Sequence, residues 1–203
     1  MTKRTRQSLS TRDVATIAVL AAISAVLFMV EIPVVLFYKL DLSNLPVLLG
    51  AFAMGPAQGT LILLVKSLLG LLHSSSQGVG ELADFLMGLA MLLPAGLIYQ
   101  RHKDRKGAIL GMAVGTLVAT LAGVLTNLYL MIPFYGAAFG MPVEAVVAMG
   151  QSLIPAVDSE LKFVFLITAP FNLLKWIIIS VVTALIYKPL SPILHGRGKM
   201  GGR

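Results

Sequence analysis

Five polar or charged side chains stand inside apolar runs of the sequence: Lys66, Asp84, Asn127, Asn172 and Lys175. An ionisable group at mid-membrane costs roughly 2.5–3.5 kcal/mol on insertion scales, so each of them needs a partner or a task. Asn172 and Lys175 are three residues apart and share one face of a helix. Pro170, just before them, frees a backbone carbonyl that can face a cavity. A pocket with carboxamides, one or two ammonium groups and many apolar walls suits a neutral, flat, polar-edged small molecule better than an inorganic ion. Plainer roles compete with this one. Lys66 and Asp84 can form a buried pair that only fixes helix packing, and Asn127 can make an interhelical hydrogen bond. Asn172 and Lys175 have no acid near them in sequence, so they need a partner from elsewhere in the chain or a ligand.

The same inventory argues against catalysis and against a resident metal or cofactor. There is no cysteine, which excludes disulfides and thiolate metal sites. His73 and His102 fall at the edges of apolar runs and His195 lies in the tail. No carboxylates are paired at metal-ligand spacing, and no serine has an obvious base. No catalytic residue and no metal ligand is expected.

The elements that must hold these groups are apolar helices. Of 203 residues, 57% are hydrophobic and only 12% charged, and the mean hydropathy is +0.89. A soluble domain carries about a quarter charged residues, so lipid has to be the outer solvent. At roughly 20 residues per crossing the length fits five or six spans packed as one bundle. The expected fold is all-α, an integral membrane bundle of six transmembrane helices with N- and C-termini cytoplasmic. The boundaries read as a basic N-terminal segment over 1–13, a membrane domain over 14–187 and a basic tail over 188–203. The run 14–30 is too long for the apolar core of a signal peptide, and no polar mature domain follows it, so it reads as a retained first helix.

The second helix, about 45–54, is too short to cross alone and is stopped by Gly55-Pro56. The third is expected over 57–73, the fourth over 80–100, the fifth over 107–135 and the sixth over 162–187, kinked by Pro170. Outer loops are expected at about 31–44, 74–79 and 136–161. The first partly re-enters the membrane, and the last is amphipathic enough to hold a surface helix. No tandem or inverted repeat is visible, which weighs against a self-sufficient carrier.

The formal charge of +7 follows this topology rather than a nucleic-acid patch. Lys3, Arg4, Arg6 and Arg12 precede the first helix, and Arg101, Lys103, Arg105 and Lys106 occupy one short linker. Lys188, Arg197, Lys199 and Arg203 end the chain. Glu31, Asp41, Glu81, Glu144, Asp158 and Glu160 collect in the other loops. That is the distribution of the positive-inside rule. The first helix also carries Ala18 and Ala22, and Ala21 and Ala25, small residues four apart that let another helix approach closely. Gly111 and Gly115 do the same on the fifth helix, with internal packing as the alternative.

Taken together, several segments resemble one family. Leu40-Asp41-Leu42-Ser43-Asn44-Leu45-Pro46 with Gly55-Pro56 and Val65-Lys66 is similar to the second and third helices of riboflavin-specific substrate-capture (S) components of energy-coupling factor (ECF) transporters. So are the run 127–136, Asn-Leu-Tyr-Leu-Met-Ile-Pro-Phe-Tyr-Gly, and the run 170–175, Pro-Phe-Asn-Leu-Leu-Lys. The order and spacing hold over roughly 14–187. The resemblance implies a six-helix component of the bacterial cytoplasmic membrane that binds a vitamin near the outer face, under a lid formed by the loop after the first helix. It implies riboflavin as transported ligand rather than cofactor. It also implies partners: a membrane coupling protein and two cytoplasmic ATPase subunits, contacted through the alanines 18, 21, 22 and 25.

By the same resemblance Asn127, Asn172 and Lys175 hydrogen-bond the flavin, and Leu40 contributes backbone contacts. Asn44 stands where the family usually has aspartate, Ser67 follows Lys66 where asparagine is usual, and Asp84 replaces an asparagine. An ionised Asp84 paired with Lys66 would change the hydrogen bonding inside the pocket. Another vitamin or a flavin derivative such as flavin mononucleotide (FMN) is therefore an alternative ligand, and a solitary carrier without an ATPase is the alternative mechanism.

Overall fold

The computed structural model describes residues 9–195. Lys3, Arg4, Arg6, Arg197, Lys199 and Arg203 lie outside the described residues, as does the side chain of Lys188. Ser10 starts the first helix by a capping box. Its hydroxyl accepts the Asp13 N–H at 3.2 Å, while the Asp13 carboxylate accepts the Ser10 N–H at 3.2 Å. Helix α1 then runs over Thr11–Met29. The loop after it is a hairpin, not an irregular segment. Strand β1, Ile32–Val35, pairs antiparallel with β2, Tyr38–Leu40, and Ile32 stands opposite Leu40. The two-residue turn puts Leu36 at φ 52°, a left-handed conformation that costs a branched residue energy.

Helix α2, Asn44–Met54, is buried from Asn44 through Phe52. A helix apolar all round belongs inside a bundle, not against lipid. It ends at Gly55, whose φ of 116° only glycine adopts freely. Pro56 opens α3, Pro56–Gly70, at a first-turn position where its missing N–H costs nothing. A 3-10 turn extends α3 through His73. The two helices pack so closely that a Cβ on Gly59 would lie 2.7 Å from the Ala51 Cβ.

Helix α4, Val79–Arg101, turns through the basic linker into α5, Arg105–Thr126, whose first turn is capped by Asp104 accepting from the Gly107 N–H at 2.6 Å. A Cβ on Gly111 would meet the Ala95 carbonyl at 2.7 Å, and one on Gly115 the Met91 carbonyl at 2.6 Å. The glycine pair on this helix therefore serves internal packing of α4 on α5.

Two π-helical turns break the remaining long helices. Asn127–Met131 joins α5 to α6, Ile132–Phe139, and Val164–Thr168 joins the short α8, Glu160–Phe163, to α9, Ala169–His195. Each is followed two residues later by a proline, Pro133 or Pro170. A proline ring displaces the carbonyl four residues earlier, here Tyr129 or Leu166, and both lie in the widened turns. The kink expected at Pro170 is thus taken up one turn earlier. The fifth apolar element is longer than expected, reaching Phe139, and α7, Val143–Leu153, is the helix expected in the last outer loop.

The described chain is 81% helical. Five segments are long and apolar enough to cross a membrane: Thr11–Met29, Pro56–His73, Val79–Arg101, Arg105–Phe139 and Glu160–Tyr187. Leu72, Leu117, Tyr129 and Leu185 project from these helices with two-thirds or more of their surface uncovered, as lipid-facing residues do. Helix α2 has eleven residues, about 16 Å of rise, so five of the six expected helices are spans on their own length.

Candidate functional site

The end of the bundle opposite the basic linker holds a cavity that is open on one side. Its walls come from the hairpin, the loop before α4, the first turns of α4, the π turn at 127–131 and the start of α9. Asn127, Asn172, Lys175 and Asp84 all line it. Lys66 and Asn44 are buried just behind Asp84, and Leu40 lies half-buried on β2 outside the lining.

The floor is a network of two acids and two lysines. The Lys175 ammonium donates to Asp41 Oδ2 at 2.8 Å and approaches Asp84 Oδ1 at 3.5 Å. Lys66 donates to Asp84 Oδ2 at 2.5 Å, to Ser43 Oγ at 2.8 Å and to Asn44 Oδ1 at 3.3 Å, which uses all three of its N–H groups. Its ammonium also lies 4.9 Å from the centre of the Phe28 ring. Asn44 donates to Asp84 Oδ1 at 3.2 Å, and Asp41 accepts from the Ser43 N–H at 2.9 Å and from its hydroxyl. Two ammonium groups and two carboxyl groups thus pair within one network, as groups this deep require.

Lys66 thereby has an internal partner, and so does Lys175. Asp41, read from the sequence as an outer-loop acid that only followed topology, is 4% exposed and pairs with Lys175 across the fold. The correction follows from the hairpin, which carries residues 38–43 down into the bundle. Two of the three Lys175 donors are taken, and its chain lines the cavity.

A second wall is made of amides and rings. Asn172 donates to the Thr168 carbonyl at 3.0 Å, and its Oδ1 accepts nothing among the described residues. Gly123 makes room for it, since a Cβ there would lie 2.7 Å from the Asn172 Cγ. Asn127 donates to the Gly123 carbonyl at 2.9 Å and accepts from the Tyr38 hydroxyl at 2.9 Å. Tyr38 also meets Thr168 Oγ1 at 2.5 Å. Its ring stacks on Phe171 with centroids 5.0 Å apart and planes at 26°. Phe37 packs between Tyr135 and Phe163, at 5.5 and 6.1 Å. Flat walls with a few convergent polar groups suit a planar heteroaromatic ligand.

Sequence reasoning did not single out Tyr38, Asp41, Ser43, Thr168 or Phe171 as site residues. Tyr38 and Asp41 adjoin Leu40, and Phe171 adjoins Asn172, so proximity to a recognised motif was the available signal. Thr168 had none. Among the described residues, Ser67 Oγ and Trp176 Nε1 are buried without a hydrogen-bond partner. Among the described residues no group of three or more histidine or acidic side chains is placed to hold a metal ion.

The alanines of α1 divide between two faces. Ala18 and Ala22 are exposed and Ala25 half-buried, whereas Ala21 is 0% exposed and belongs to the core with Ile17. The structure removes Ala21 from any outer contact surface, because it faces the bundle.

Residues 12–187 match the family model described as ECF transporter, substrate-specific component. The riboflavin transporter RibU of Staphylococcus aureus is 33% identical over 183 residues, covering 88% of this chain and 90% of that protein. RibU of Streptococcus thermophilus is 32% identical, with 91% and 85% covered, and the riboflavin transporter FmnP of Bacillus subtilis is 25% identical, with 87% and 90% covered. A solved S component of a bacterial ECF transporter superposes with a TM-score of 0.70 at 33% identity, over 90% of this chain and 97% of the other.

Proposed function

The chain belongs to the substrate-specific components of ECF transporters, and from that premise we propose that it captures riboflavin at the outer face of the membrane and delivers it through a partner module. It is a transporter subunit and not an enzyme. The observation that carries the ligand assignment is the cavity wall itself, where Asn127, Asn172 and Lys175 converge beside the Tyr38–Phe171 stack. A flavin ring has the matching shape, a flat apolar body with acceptors and an N–H along one edge. Burial of the ring supplies affinity, and the two amides and the ammonium fix its orientation.

In this reading α2 and the hairpin together complete a sixth crossing, and both termini face the cytoplasm of a bacterial cell. Leu40 and Asn44 support the site from the hairpin side, and Asp84 and Lys66 hold Lys175 in place. The exposed face of α1 around Ala18 and Ala22, with Ala25 at its edge, meets the membrane coupling protein, which two cytoplasmic ATPases drive. A nanomolar site holds about 12 kcal/mol of binding free energy, and release on the inner side needs an energised partner of that order.

The mechanism is tested with sealed vesicles. Vesicles holding this chain alone should bind riboflavin without accumulating it, and adding the coupling protein, the ATPases and ATP should start uptake. Accumulation by the chain alone would make it a solitary carrier. FMN is the second ligand to weigh, because Lys175 keeps one donor to spare at the cavity wall.

A further inference from the structure

Among the described residues, the acids lining the cavity pair with lysines, with one exception. Glu31 is bound to Lys39 at 2.5 Å, Asp41 to Lys175 at 2.8 Å, and Asp84 to Lys66 at 2.5 Å. Glu81 is left over. It is 7% exposed, lines the cavity and makes no ion pair among the described residues. Its carboxylate is held instead by hydroxyls, accepting from Ser74 Oγ at 2.8 Å and Ser76 Oγ at 3.1 Å on one oxygen, Oε2. The other oxygen accepts nothing among the described residues.

This placement is built by the backbone. Gln77 at φ 53° and Gly78 at φ 90° fold the serine loop back over the start of α4. Ser74 Oγ then accepts the Gly78 N–H at 2.7 Å, and Ser76 Oγ accepts the Gly80 N–H at 2.8 Å. Glu81 sits in the first turn of α4, where the helix dipole favours a negative charge. It also lines a second cleft, between α1 and the end of α3.

We propose that Glu81 is a specificity-determining residue that accepts hydrogen bonds from the hydroxylated chain of the ligand and rejects the phosphorylated form of that chain. The inference rests on the riboflavin reading above. A carboxylate with a free oxygen in a partly dry cavity is a strong acceptor for hydroxyls. The same charge repels a phosphate dianion, and Lys39, the lysine that shares the cavity lining with it, is already paired with Glu31. Lys175 belongs to the floor of the cavity, held there by Asp41 and Asp84.

The test compares riboflavin, FMN and lumiflavin, which lacks the chain, as ligands of the purified full-length protein. Wild type should bind riboflavin at least about tenfold more tightly than FMN, the scale of one unit-charge repulsion across a partly screened gap. Glu81→Gln should erase most of that preference, mainly by tightening FMN, and leave lumiflavin affinity unchanged. Equal affinity of wild type for riboflavin and FMN would overturn the inference with no variant needed. So would an unchanged preference in Glu81→Gln. A wild-type chain that takes no flavin at all overturns the riboflavin reading, and this one with it.

Discussion

Lys175→Met is expected to weaken riboflavin binding by about a hundredfold, the loss of one charge-assisted hydrogen bond in a dry site. The same substitution should destabilise the fold by about 3–5 kcal/mol, because it leaves a buried carboxylate without its cation. The carboxylate is Asp41, which accepts the Lys175 ammonium at 2.8 Å while 4% exposed. The two effects are separable. Adding Asp41→Asn to Lys175→Met removes the orphaned charge and keeps acceptance of the Ser43 N–H, so most of the thermal stability should return. Riboflavin affinity should not return with it. Melting in detergent and flavin fluorescence quenching together read both quantities. A double variant that regains stability and also binds normally would make Lys175 a packing residue and take it out of the site.

The second large effect concerns delivery. Ala18→Trp with Ala22→Trp should leave the riboflavin dissociation constant within about twofold of wild type while ATP-driven uptake with the full module falls at least about tenfold. Both positions are exposed on one face of α1, and small residues there permit the close helix approach that bulky rings prevent. Ala21 supplies the contrast. It is fully buried against the core, so Ala21→Trp should fail by overpacking, with lowered stability before any question of coupling. Normal uptake by the Ala18 and Ala22 variant would show that the coupling protein docks elsewhere.

The sequence displayed the groups that are expensive in lipid more clearly than it displayed their partners. Lys66, Asp84, Asn127, Asn172 and Lys175 were legible because each interrupts an apolar run, and all five lie at the cavity or directly behind it. Asp41 and Glu81 were not, because an acid in a loop looks like solvent-facing charge until the loop is known to turn inward. The strands of the loop over 31–44 were not readable. Four residues of β1 and three of β2 are too few for a period-two pattern to register.

The helix boundaries were legible to within a few residues where Gly55-Pro56 or the basic linker marks them. The end of α6 was missed, because Gly136 reads as a stop and the helix continues through it to Phe139. The π turns were invisible too. Pro133 and Pro170 signalled a disturbance, but whether a helix bends or widens depends on tertiary packing, here on the burial of Asn127, Thr168 and Asn172 in one polar seam.

The most direct measurement is an absorbance spectrum of the detergent-purified protein followed by titration with riboflavin, read by quenching of flavin fluorescence. The structure and the family membership predict a yellow co-purified ligand, or quenching that saturates at submicromolar riboflavin with one site per chain. A colourless protein whose riboflavin signal stays unquenched at micromolar concentrations would contradict the assignment and direct the search to another vitamin.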